Sequence, residues 1–137
     1  MKFIFLVIVL IVCYSFIYIN KQKQPDKIVL LIDQLDHERA IANDIETFWN
    51  DKKYFDTIEI KGKTLVKEIN QTISNLSPQI NASEISYEAC IIRYSKNKAI
   101  DTFYSWRWFD YWKNGTTMYI DSSKKFEGLF LKMYHGE

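Results

Sequence analysis

Residues 3–19 form an unbroken apolar and aromatic run with no charge, no Pro and no Gly. Nothing in it breaks a helix or calls for water. At roughly 1.5 Å per residue a helix of this length spans about 25 Å, enough to cross a hydrocarbon core once the flanking side chains snorkel. Tyr14 and Tyr18 stand near one end, where amphipathic rings suit the headgroup level. The run is therefore expected to be a transmembrane signal-anchor (residues 1–20), followed by a polar tether (21–26) containing Pro25. What remains, residues 27–137, suffices for one domain with one core.

Two other fates for the segment are weaker. Signal-peptide cleavage needs small residues ahead of the cut, yet Ser15 is the only one in the second half of the run and Tyr14 and Phe16 flank it. Leu10-Ile11-Val12-Cys13 resembles a bacterial lipobox, in which Leu precedes the lipid-modified Cys by three. It departs at Val12, where that motif takes Gly or Ala, and the chain stays apolar to Ile19. Cys13 reads better as a small apolar residue inside a membrane helix. Lysine counting sets Lys2 against Lys21, Lys23 and Lys27 and would keep the domain in the cytoplasm. A very short N-terminus before a signal-like run favours export, and a periplasmic or extracellular domain is the expectation.

Net charge is +1, with acids and bases interspersed and no basic stripe, so there is no electrostatic footprint for nucleic acid. Cys90, the only cysteine outside the apolar run, has no intrachain partner to staple the domain. Asn70, Asn75, Asn81 and Asn114 head N-x-Ser/Thr triplets, which a chain rich in Asn, Ser, Ile and Lys also produces by chance.

Along the domain, residues 27–32 read as a buried strand, although Ile28, Leu31, Ile32 and Leu35 also fit a helix that would merge with the next one, and residues 36–49 as a helix with Asp36 as its cap. Residues 54–60 form a strand. Leu65, Val66, Ile69, Ile73 and Leu76 recur at helical spacing over 64–76, and 77–83 is a Ser/Pro/Asn loop. Then the texture turns to β: a strand over 87–94, a polar turn at 95–98, a long aromatic strand over 100–112, and a return strand over 116–120. Asn114-Gly115 signals a type I′ hairpin turn that pairs Trp112 with Thr117. Asp121, Ser122 and Ser123 offer caps for a last helix carrying Phe126, Leu129, Phe130 and Met133 on one face. The fold class is α+β: β/α alternation, a three-stranded antiparallel meander and a C-terminal helix.

Chemistry-bearing motifs are scarce. Lys61-Gly62-Lys63-Thr64 resembles the end of a phosphate-binding P-loop, but the Gly needed five positions earlier is Thr57. Asp33, Asp36, His37 and Glu38 have no second histidine at ligand spacing and read as a solvated, acidic helix start. His135 lies two residues from the last, and no G-x-S-x-G accompanies either histidine. Neither a catalytic residue, a metal ligand nor a cofactor is assigned.

The remaining candidate is the aromatic strand. Its straight register sets Phe103, Phe109, Tyr111, Met118 and Ile120 on a core face. The opposite face takes Tyr104, Trp106, Trp108, Asp110, Trp112, Thr117 and Tyr119, rings with polar handles that tolerate partial wetting. Trp106, Trp108, Asp110, Trp112 and Tyr119 are the expected binding residues if that face is open; if helices pack on both faces, the tryptophans are core instead. The expected function is a membrane-anchored, non-enzymatic, protein-binding module at the cell envelope, inhibitor or immunity-like, with the lipid bilayer as a further partner through residues 3–19. The alternative is a glycan-binding or glycan-cleaving domain with a Trp/Tyr platform beside a carboxylate.

Overall fold

A computed structural model describes residues 25–33, 44–80, 86–106 and 109–135. The apolar run 3–19 lies outside the described residues, and among those described no helix is long and apolar enough to cross a membrane. Among the described residues the domain is mixed α+β, an antiparallel sheet of seven strands with three α-helices.

Strand β1 (Lys27–Asp33) shows why its sequence does not alternate. It lies between β2 (Phe55–Ile60) and β4 (Ala89–Ser95), and apolar layers cover both of its faces. Ile28, Leu30 and Ile32 enter one layer and Leu31 the other, so an unbroken apolar run is what this position selects. Strands β5 (Lys98–Ser105), β6 (Tyr111–Asn114) and β7 (Thr117–Ile120) continue the sheet, which ends on β3 (Ser77–Gln79).

Helix α2 (Lys63–Ser74) and helix α3 (Lys125–His135) cover one face of the sheet. Val66, Ile69 and Ile73 of α2, with Leu76 just beyond it, pack with Phe126, Leu129 and Met133 of α3 over the sheet, as the helical spacing in the sequence predicts. A short helix α1 (Ile45–Asn50) seals part of the other face. Its Phe48 is fully buried, stacks on Phe55 at 4.5 Å between centroids and meets Tyr104 edge-on at 5.6 Å. Trp49 donates its indole N–H to the Tyr104 hydroxyl at 3.0 Å. The described helix starts later than the sequence suggests. Asp44 caps it, accepting the Thr47 backbone N–H at 2.7 Å, and that bond and the Thr47 hydroxyl hold its carboxyl below the usual value. Residues 36–43 of the expected helix lie outside the described residues.

Three expectations need correction. The expected loop over 77–83 contains β3, which pairs Ser77 with Ile120 and Gln79 with Met118. Pro78 lacks an N–H and is tolerated because β3 is an edge strand. The aromatic segment is not one strand: the chain reverses between Ser105 and Tyr111, so β5 and β6 pair with each other, Tyr104 with Lys113 and Ser105 with Trp112. The meander consequently has four strands, β4 to β7, where three were expected.

The type I′ turn is also not where it was expected. Two positive φ values, 50° at Lys96 and 64° at Asn97, make the two-residue turn between β4 and β5 the type I′ turn. Between β6 and β7 the ladder closes on Asn114 and Thr117, with Gly115 at φ 57° and Thr116 not in the positive region, a type II′ arrangement. Trp112 therefore faces Tyr119, not Thr117. The slip is two residues, an even number, so faces within this hairpin are unchanged.

Candidate functional site

The reversal at 106–110 decides where each candidate residue goes. In a straight strand Phe103 and Trp112 would point to opposite faces. With Ser105 opposite Trp112 they share the face under α2 and α3. Trp112 is fully buried there, its ring 4.3 Å from Phe126 and 5.9 Å from Phe109 between centroids. Its indole N–H, which needs a partner once dry, donates to the Phe109 carbonyl at 2.7 Å. Tyr119 is half-buried on the same side and touches Phe103 at 6.1 Å. Trp108 lies outside the described residues. Of the five expected binding residues, the structure brings Trp106 and Asp110 together at a surface.

Local bonds build this corner. Ser105, fully buried, donates its hydroxyl to the Tyr111 carbonyl at 2.7 Å and so ties the two ends of the reversal. The Phe109 N–H returns to the Trp106 carbonyl at 3.2 Å. Trp106, half-buried, donates its indole N–H to the Asp110 carboxylate and meets Tyr111 edge-on at 6.4 Å. The Asp110 carbonyl accepts the Asp121 N–H at 2.8 Å, which fastens the corner to the start of α3.

Asp121 is itself buried and organises that start. One carboxylate oxygen accepts the Phe126 N–H at 2.9 Å, and the other accepts the Ser123 N–H at 3.1 Å and its hydroxyl at 2.6 Å. Helix start and corner enclose a recess of about 270 Å³ lined by Phe109, Asp110, Lys124 and Glu127. Two backbones at its rim lie in the left-handed region, Phe109 at φ 56° and Lys124 at φ 51°. For a bulky Phe this is an outlier, held by burial and by stacking on Phe130 at 4.8 Å. Strain of this kind concentrates at ligand sites and switch regions.

A fixed indole beside a carboxylate offers apolar area with one oriented acceptor, and Lys124 and Glu127 add a charge of each sign. Among the described residues no group of three His, Cys, Asp or Glu could hold a metal ion. Cys90 is buried under Phe48 and Tyr104, and burial pushes its thiol up to about 12, far from a nucleophile's range. Gly62 caps α2 at φ −63°, an ordinary backbone conformation with no phosphate-cradling turn. Asn70 accepts a hydrogen bond from Arg93 and Asn114 donates one to the Thr102 carbonyl, so both amides serve the fold.

Sequence reasoning missed Phe109, Lys124 and Glu127. Lys124 and Glu127 join the site only through the Asp110–Asp121 contact, and no spacing in the chain announces it. Comparison with known proteins returns no matching family, no matching curated protein and no matching solved structure.

Proposed function

We propose that this chain is a membrane-anchored, non-enzymatic binding module whose contact surface is the corner from Trp106 to Asp110 and the first turn of α3, and that its partner is a protein. The observation that carries the reading is the half-buried Trp106, locked to Asp110 beside the Phe109–Lys124–Glu127 recess. A pre-oriented Trp with charged groups around it has the make-up of a binding hot spot. The apolar run 3–19 supplies the anchor in this reading, with the domain exported.

The test is Trp106→Ala in the full chain. Capture of the partner by immobilised, detergent-solubilised protein should be lost while melting changes by less than about 1 kcal/mol. Retained capture removes Trp106 from the interface. For the anchor, the full chain should stay in membranes through alkaline washing; recovery of a mature chain starting beyond residue 13 would show cleavage instead.

A second reading is favoured by one detail: Asp110 and Glu127, two carboxylates, line the same recess next to an aromatic corner. A saturable change in Trp fluorescence on titrating cell-wall oligosaccharide, absent in Trp106→Ala, would favour glycan over protein.

A further inference from the structure

We propose that the end of the sheet nearest the tether is a membrane-apposed face that rests on anionic lipid through Lys61, Lys63, Lys96 and Lys98. The inference rests on reading residues 3–19 as a bilayer anchor, and it adds which side of the domain meets the bilayer and which is turned away.

The ladder settles which residues share that end. Lys27 is opposite Tyr94, Ile28 is opposite Ile60, and Ser95 is opposite Lys98. The start of β1, the end of β2, the end of β4 and the start of β5 therefore meet at one edge of the domain, with the Lys61–Lys63 connection and the Lys96-Asn97 turn protruding from it. Lys61, Lys63, Lys96 and Lys98 are exposed, and Lys27 is half-buried over the Tyr94 ring.

Two carboxylates accompany these five lysines. Glu59 is shared by Lys27 at 3.0 Å and Lys61 at 3.2 Å, which lowers its pKa, and Asp26 accepts the Lys96 backbone N–H at 3.0 Å. Arg93 and Asp101 form an internal pair that leaves no net charge. Among the described residues the opposite end of the same strands is acidic: Asp33, Asp51, Asp56 and Glu88 stand there, with Asp44 and Glu46 on the adjoining helix α1, against Lys52, Lys53 and Lys113. The domain is thus polarised along its strands.

The chain joins the apolar run to the basic pole. Residues 20–26, with Lys21 and Lys23 among them, extend to about 25 Å at most, and coiling shortens that reach. The basic pole therefore stays close to the headgroups. Charges attract an anionic surface only within a Debye length, about 8 Å at physiological salt. The acidic pole begins six strand residues further on, about 20 Å away, too far to cancel the attraction. In this pose the Trp106–Asp110 corner, at the distal end of β5, faces away from the bilayer and is open to a partner.

The experiment is hydrogen exchange on the full chain in nanodiscs of phosphatidylcholine alone or with phosphatidylglycerol. Amides at 61–63 and 96–98 should slow in the anionic discs only, while those at 109–111 are unchanged. Lys63→Glu and Lys98→Glu, both at exposed positions, should each cut this protection about fivefold. Near-ultraviolet circular dichroism of each variant checks that it folds. Equal exchange in the two lipid compositions, or protection of the 109–111 corner instead, would overturn the face and leave the anchor standing. A chain that fails to co-migrate with either disc overturns the anchor, and the face with it.

Discussion

Replacing Trp112 tests the reversal at 106–110 more sharply than any other substitution in the core, because Trp112 reaches the α3 layer only if the chain folds back there. Its side chain is fully buried against Phe109 and Phe126 and satisfies the Phe109 carbonyl. Trp112→Ala forfeits the ring, about 3–5 kcal/mol, and strands that carbonyl, which adds about 1 kcal/mol or more. The loss rivals the whole stability of a domain this size, about 5–15 kcal/mol. In urea unfolding of the fragment 24–137, with a slope of about 2 kcal/mol per M, the midpoint should fall by about 2–3 M. A double-mutant cycle then assigns the face: Trp112→Ala should couple to Phe126→Ala by about 1 kcal/mol and add independently to Phe48→Ala, which lies under the sheet's other face. Coupling to Phe48, or a midpoint shift below about 0.3 M, would refute the fold-back and restore the straight strand.

Other consequences can be checked in the same fragment. Gly115→Val should cost about 1 kcal/mol or more by thermal melting, because a β-branched residue is strained at φ 57°. Arg93→Ala should cost about 2 kcal/mol in chemical denaturation, since it leaves the part-buried Asp101 without its two-pronged partner and frees Asn70. Stability should fall between pH 9 and about 12. The folded state keeps the Cys90 proton there while the unfolded chain releases it, so the contribution is whole below the thiol's ordinary value and is lost as pH rises. Cys90→Ala should flatten that slope by about 1.4 kcal/mol per pH unit, and an unchanged slope would mean that the thiol is solvated.

Much of the framework could be read from single residues. The unbroken apolar run of β1 fits a strand covered on both faces, and the Val66–Ile69–Ile73 spacing fits a helix with one buried stripe. Asp121 was one of three caps legible for the last helix, and Gly115 was legible as a turn residue. The reversal was not. Residues 105–111 hold no Gly, Pro or Asn, and their aromatic residues suit a strand as well as a loop. What holds the bend is Phe109 in a left-handed backbone, kept there by stacking on Phe130 from a helix about twenty residues away in sequence. Local sequence cannot show a tertiary restraint of that kind. The same limit split the candidate site: the fold-back sends Trp112 into the core and leaves Trp106 and Asp110 at the rim, where Lys124 and Glu127 meet them. The type I′ turn at Lys96-Asn97 was missed for a smaller reason, since Lys at its first position is a poor match to the residues that usually accept positive φ.

The measurement that bears most directly on the binding account is site-specific photocrosslinking in intact cells that produce the full chain. A photoreactive residue at 106 should yield one discrete protein adduct, lost on Asp110→Ala, whereas the same probe at Thr57, exposed on the edge strand β2, should yield none. Adducts of equal yield from both positions, or none from 106, would contradict a binding surface at the Trp106–Asp110 corner.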